Sequence, residues 1–101
     1  MAKFLVLYRA EVSAQEQMAQ ATPEQAQAGM DAWMGWAGKA GDAIVDLGSP
    51  LAPVGGADAT LGGYSVLQAD SAEAVSSVLE GHPHLQIGTI DVHECLEMPG
   101  S

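Results

Sequence analysis

The stretch KFLVLYR, residues 3–9, decides the fold of this chain because it reads as a strand without a polar face. Alternate side chains of a strand point to opposite sides. Both sides of this one are apolar, with Phe4, Val6 and Tyr8 on one side and Leu5 and Leu7 on the other. A strand of this kind is covered on both faces in a folded protein. The stretch therefore predicts a central strand between two layers of structure.

Two helices are predicted after this strand. The first is predicted over residues 22–41, where Thr22 and Gln25 form a capping box around Pro23. The second is predicted over residues 70–81, because Asp70 stands three residues before Glu73, another capping-box spacing. Residues 11–21, between the first strand and the first helix, are expected to form a loop or a weak helical turn.

Three further strands are predicted, at residues 43–54, 64–70 and 85–98, and the element order becomes β-α-β-β-α-β. This is the order of the α+β, ferredoxin-like fold, a four-stranded antiparallel sheet with two helices on one face. Two helices cover only one face, although the first strand is apolar on both. We therefore predict a homodimer through the helix-free sheet face, since a second copy of the chain is the simplest cover.

The charge of the chain argues against two classes of partner. Of its 101 residues, 13 are acidic and only 3 are basic, which gives a net charge of −10 at pH 7. Nucleic acids and anionic membranes are bound through basic residues, so neither is an expected partner, whereas a neutral or cationic ligand is compatible. The single cysteine cannot form a disulfide within the chain, and the first apolar run is too short for a signal peptide or a membrane span. We expect a cytoplasmic protein.

Several strings resemble, in order along almost the whole chain, the YCII-related family, which includes the DGPF-domain proteins. The strings are KFLVLYR, TPEQ, GSPLAP, LGGYSVLQADSAEAV, and GHP followed by GTIDVHE. The resemblance implies one YCII-like domain over residues 1–98, with a frayed tail at residues 99–101, that pairs into a dimeric α/β barrel. Related barrels include monooxygenases, muconolactone-type isomerases and dehydrochlorinases, and the fold alone selects none of these activities.

This chain departs from the pattern of that family at two places. The DGPF string is absent, and the short connection VGGADATLGGY replaces it. Some members resemble enzymes with a dyad, formed by a histidine on the first helix and an aspartate just before a proline after the second. Here the first helix has no histidine, and His82 stands before Pro83 at the position of the aspartate. The dyad therefore cannot be carried over to this chain.

All three histidines and the only cysteine fall within GHPHLQIGTIDVHEC, residues 81–95. The spacing matches no established zinc pattern, so no metal and no cofactor are predicted. Histidine titrates near neutral pH, and a nearby carboxylate can orient its ring. We therefore predict that His82, which Pro83 holds in place, is catalytic together with Asp91. His84 is predicted to be a solvated loop residue, and His93 a surface or dimer-contact group.

The expected function is the binding or transformation of a small organic molecule in a pocket near His82, by acid–base chemistry. Four residues are predicted to bind the ligand: Tyr8, Met30, Trp33 and Tyr64. Two alternatives remain open. One is a non-catalytic binding or regulatory module with the same fold. The other is a cofactor-free monooxygenase or isomerase of the dimeric α/β barrel class, and the sequence names no substrate for any of the three.

Overall fold

The computed structural model describes residues 2–12 and 14–97. The elements in chain order are β1 (Ala2–Arg9), α1 (Ala14–Gln20), α2 (Pro23–Ala40), β2 (Ile44–Asp46), β3 (Leu61–Ala69), α3 (Ala72–Leu79) and β4 (Thr89–Cys95). Short 3-10 turns occupy Gly41–Ala43 and Pro83–Gln86. The predicted domain end at residue 98 and the predicted tail lie outside the described residues. In the described ranges, no helix is both long and apolar enough to cross a bilayer.

The four strands form one antiparallel sheet in the order β2-β3-β1-β4, which confirms the predicted α+β, ferredoxin-like fold. β1 is a central strand, as its sequence predicts. Its side chains Phe4, Val6 and Tyr8 are at most 2% exposed. Leu5 and Leu7, on the opposite face, are only half-buried. The helix layer thus covers one face of β1, and we call the other the helix-free face.

The helix layer packs on the sheet through a few large side chains. Trp36 of α2, with Val75 and Leu79 of α3, joins the buried cluster that contains Phe4 and Val6. The indole of Trp36 also donates a hydrogen bond to the carbonyl of Val78 at 2.9 Å, which ties α2 to α3. This buried layer fixes the position of α2 over the end of β1.

The start of α2 confirms the predicted capping box. The hydroxyl of Thr22 accepts from the backbone N–H of Gln25 at 3.1 Å, and the Gln25 side chain accepts from the N–H of Thr22 at 3.0 Å. The predicted cap of α3 is wrong by one residue. Ser71, rather than Asp70, has the extended backbone of an N-cap, and its hydroxyl accepts from the N–H of Ala74 at 3.1 Å.

The structure also corrects three element lengths. Residues 14–20, within the stretch expected to be a loop or a weak turn, form the helix α1. The predicted strand at residues 43–54 is reduced to β2, because the chain bends at Gly48 and touches the sheet again only through the isolated bridge of Pro50 with Gly63. β4 begins only at Thr89, because Pro83 starts a 3-10 turn before it.

Gly48 allows the connection after β2 to pass close to β3. Its φ is +84°, and a Cβ atom placed there would lie 1.7 Å from the carbonyl oxygen of Tyr64. The side chain of Asp46 accepts a hydrogen bond from the N–H of Gly48 at 2.8 Å and holds this bend. Only a glycine satisfies both the backbone angle and the close approach.

Replacing Gly48 by alanine should therefore destabilise the protein in two ways, through the unfavourable backbone angle and through the close contact with the Tyr64 carbonyl. Gly55 is the matched control, since its φ is +63° and nothing lies within 4 Å of a Cβ placed there. In urea unfolding, we expect Gly48→Ala to lower the free energy of unfolding by about 1–3 kcal/mol more than Gly55→Ala does. Equal losses in the two variants would show that the contact with Tyr64 does not constrain the fold.

Candidate ligand pocket and its histidine pair

A cavity of about 360 Å³ opens between α2, the end of β1 and the start of β3. Its size falls in the lower part of the range of small-molecule sites, roughly 300–1,000 Å³. All four residues that the sequence predicts as ligand-binding line it: Tyr8, Met30, Trp33 and Tyr64. His84 lines it as well. We refer to this cavity as the pocket.

The lining of the pocket is apolar and rich in aromatic rings and thioethers. Besides the rings of Tyr8 and Trp33, it contains three methionines, Met18, Met30 and Met34, which are between 53% and 68% exposed. Tyr64 borders the pocket, but it pairs with Leu7 across the β1–β3 ladder, so its side chain points to the helix-free face. No Asp, Glu, Lys or Arg is found among the described residues that line it. Methionine side chains adapt to the shape of a ligand and contact aromatic rings favourably. Such a lining suits a neutral ring compound.

Tyr8 forms a fixed side of the pocket. Its hydroxyl donates to the hydroxyl of Ser65 at 2.8 Å, and Ser65 donates in turn to the carbonyl of Leu47 at 2.6 Å. The ring packs edge-on to Trp33, with the ring centroids 4.9 Å apart. Burial raises the pKa of Tyr8 above its ordinary value. The phenol is therefore an ordered wall at neutral pH rather than a source of protons.

His84 is the histidine that lines the pocket, so the prediction that it is a solvated loop residue is wrong. The residue is only 7% exposed, and its Nε2 lies 2.8 Å from the carbonyl oxygen of Arg9. A carbonyl only accepts hydrogen bonds, so Nε2 carries the proton and the lone pair of the neutral ring is on Nδ1. No described residue bonds to this Nδ1, and the atom is not among those buried without a partner.

His82, the predicted catalytic residue, lies behind the pocket rather than in it. It is 1% exposed and surrounded by three rings that we call the aromatic cage: Tyr8, Trp33 and Trp36. Burial first, and the charge of a protonated His84 second, lower the pKa of His82 to about 4. His82 is thus neutral at physiological pH, and the structure assigns the pocket position to His84 instead.

Asp91 is not brought to His82. It pairs with Leu7 across the β1–β4 ladder and so points to the helix-free face, whereas Tyr8, which contacts His82, points to the helix layer. The carboxylate of Asp91 binds Nε of Arg9 at 2.5 Å, and Arg9 also binds Asp58 at 2.7 Å. The predicted pair of His82 with Asp91 is therefore not formed, and Asp91 serves in this ion-pair network.

A second and more open cavity, of about 670 Å³, adjoins the pocket. The two share Ala10, Gln17 and Ile87 as lining residues. Its lining is more polar and includes Arg9 and Glu11. In the part of the chain that the structure describes, no three His, Cys, Asp or Glu side chains come together as a set of metal ligands.

The depressed pKa of His82 predicts a pH dependence of stability. Between pH 6.5 and about 4 the unfolded chain takes up a proton on His82 and the folded protein does not. The stability that this neutral residue contributes is complete above pH 6.5 and falls by about 3 kcal/mol as the pH drops to 4. In urea unfolding followed across this range, His82→Phe should remove that part of the slope.

His93→Phe is the control for this measurement, because His93 is exposed on the helix-free face. We expect it to leave the slope unchanged. If the His82→Phe variant keeps the wild-type slope of the unfolding free energy against pH, then His82 does not remain neutral inside the fold.

Comparison with known proteins bears on the fold. No family model matches the chain, and no curated protein is significantly similar to it. Among solved structures, it is similar to 5-chloro-2-hydroxyhydroquinone dehydrochlorinase from Burkholderia phenoliruptrix AC1100, in complex with 2,5-dihydroxybenzoquinone. The TM-score is 0.56, the identity is 19%, and 95% of each chain is covered. This likeness shows the ferredoxin-like α+β fold of the chain alone and does not show membership of the YCII-related family.

Proposed function

We propose that the pocket binds a small, neutral, mostly apolar ring compound, and that His84 moves a proton to and from the bound molecule. One observation carries the proposal. Three side chains expected to bind a ligand, those of Tyr8, Met30 and Trp33, line one cavity with a histidine. The ring of this histidine, His84, is oriented by the Arg9 carbonyl, and its Nδ1 has no partner among the described residues. Perturbed or oriented titratable groups in a mostly apolar cavity are typical of functional sites.

The chemistry that this arrangement supports is proton transfer next to a carbonyl or hydroxyl group of the ligand. Nδ1 of neutral His84 takes a proton from the substrate. Nε2 keeps its own proton, which it donates as a hydrogen bond to the Arg9 carbonyl. The imidazolium that forms keeps that hydrogen bond and returns the proton to another atom of the substrate, or to the same one. Isomerisation and elimination both begin with such a step, and neither needs a redox partner.

Two further observations support a compact, neutral ring compound as the ligand. The pocket volume of about 360 Å³ is small, and no Asp, Glu, Lys or Arg is found among the described residues that line it. The solved protein of similar fold is named as a dehydrochlorinase and was captured with 2,5-dihydroxybenzoquinone, which is also a single-ring compound. Its residues are not carried over to this chain, because 19% identity shows the fold alone.

We also propose that the protein is YCII-related, cytoplasmic and a homodimer. The ordered strings support a YCII-related protein, and the single cysteine supports a cytoplasmic location. A homodimer through the helix-free face is supported by Leu5, Leu7 and Val66, which lie on that face and are only half-buried in the single chain. In the dimeric barrel that the family resemblance implies, the two sheets pack face to face.

The ketone 2-indanone is a suitable probe for the proposed function, since it is neutral, compact and has acidic α-protons. We expect the protein to bind it and to accelerate exchange of these protons with D2O, measured by proton NMR against a buffer blank. His84→Gln should abolish the acceleration and change the Kd by less than about threefold, because the proton acceptor is lost while the apolar contacts remain.

A charge at the rim of the pocket tests the location of the bound ketone. Met30→Glu should weaken binding about tenfold, equivalent to about 1.4 kcal/mol. Ala28→Glu places the same charge on an exposed position of α2 that does not line the pocket, and should leave the Kd unchanged. Equal effects of the two variants, or no binding, would refute the proposal. Binding without exchange in the wild-type protein would identify the non-catalytic binding module.

The homodimer predicts a particle of twice the chain mass of 10.4 kDa in light scattering at micromolar concentration. Val66→Lys should dissociate it, because the charge would be buried between the two sheets. Val92→Lys is the control, since Val92 pairs with Val6 and lies on the opposite face of the sheet. A wild-type monomer, or dissociation by the control alone, would contradict an interface at the helix-free face.

A further inference from the structure

We propose that His82 is a positioning residue, whose buried ring holds the backbone of His84 so that the His84 ring presents Nδ1 to the pocket in a single tautomer. This inference rests on the proposed role of His84. It concerns how the site is held rather than what it binds. It also accounts for a histidine that is completely buried but makes no contact with the pocket.

A hydrogen bond joins the two histidines. The backbone N–H of His84 donates to Nδ1 of His82 at 3.0 Å. His82 thereby acts as the N-cap of the 3-10 turn that Pro83 begins, and its side chain satisfies an N–H group that the turn leaves without a partner. The ring cannot swing away, because the rings of Trp33 and Trp36 each lie 4.4 Å from it, centroid to centroid.

This bond excludes His82 itself from proton transfer. Because Nδ1 accepts from His84, the neutral ring carries its proton on Nε2. That Nε2 is buried and has no hydrogen-bond partner among the described residues. If Nδ1 took up a proton, it would become a donor facing the backbone N–H donor of His84. The hydrogen bond that holds the turn would then be lost. His82 therefore acts only through His84.

The His84 ring is then held at both ends. Its backbone is held by His82, and its Nε2 donates to the Arg9 carbonyl at 2.8 Å. Gly88 keeps this second contact open, since a Cβ placed there would lie 2.8 Å from Nε2 of His84 and 1.9 Å from the Arg9 oxygen. With both anchors in place, only one ring orientation leaves Nδ1 for a ligand.

Two substitutions separate the hydrogen bond of His82 from its bulk. Asparagine places Oδ1 where Nδ1 of histidine stands, and it is a favoured N-cap residue. His82→Asn therefore keeps the acceptor and loses the ring. Phenylalanine fills the aromatic cage and has no acceptor. The exposed His93 supplies the control, His93→Phe.

The tautomer of His84 can be read directly from the ring ¹⁵N chemical shifts of histidine-labelled protein, without any ligand. We expect the Nε2–H form alone in wild-type protein, in His82→Asn and in His93→Phe, and a mixture of tautomers in His82→Phe. With 2-indanone, His82→Phe should slow proton exchange about 10–100-fold, shift the pH dependence of the rate and leave the Kd within about threefold. His82→Asn should restore the rate.

A folded His82→Phe protein with the wild-type tautomer and rate would overturn the inference. If His82→Phe does not fold, His82→Asn decides, and a tautomer mixture in that variant would also overturn it. Failure of the proposed function looks different. In that case the ring shifts would follow the expected pattern across the variants, but wild-type protein would not accelerate exchange.

Discussion

The placement of Tyr8 by the central strand is the constraint on which the rest of the site depends. β1 pairs with β3 on one side and β4 on the other, so its alternation alone sends Phe4, Val6 and Tyr8 into the helix layer. Tyr8 is the last of the three, at the end of the strand where the pocket opens. Its ring contacts both His82 and His84, and its hydroxyl is bound by Ser65. A one-residue shift of β1 would remove all these contacts together.

The two histidines show how one short turn assigns opposite roles to the same kind of side chain. His82 enters the aromatic cage and stays neutral because desolvation opposes its charge. His84, two residues later, keeps one nitrogen on a backbone carbonyl and the other without a partner among the described residues. The carboxylates nearby are occupied elsewhere, since Asp58 and Asp91 both bind Arg9 on the helix-free side. His84 is thus held by the Arg9 carbonyl and the His82 ring, where catalytic histidines often use a carboxylate.

Sequence reasoning predicts well those features that local signals determine. The central position of β1 and the capping box of Thr22 are each predicted from a few adjacent residues, and both are confirmed. The second layer that the apolar pattern of β1 predicts stays a prediction. The start of α3 is misplaced because Asp70 and Ser71 are both good N-cap residues, and the choice depends on how the helix meets β3. β4 is too long in the prediction because the turn that Pro83 starts has no clear periodic pattern.

The site is less predictable, since it depends on contacts between distant residues. Whether His82 or His84 points inward is decided by Trp33 and Trp36, more than 40 residues away. The face taken by Asp91 depends on the register of β4, which the sequence does not specify. Tyr8, Met30 and Trp33 line one cavity because this fold places the end of β1 beside α2, so their nearness follows from the predicted fold, whereas their role in binding stays a prediction. The His-Pro-His string contains a usable signal, an N-cap before a proline.

A crystal structure of protein soaked with 4-bromophenol tests the central claim most directly, because bromine can be located by its anomalous scattering. The phenol is neutral near pH 7 and has a single ring. We expect one strong anomalous peak inside the pocket, beside Trp33 and Met30, with the phenol oxygen within hydrogen-bonding distance of Nδ1 of His84. An empty pocket, with bromine found only on the helix-free face or at the surface, would contradict it.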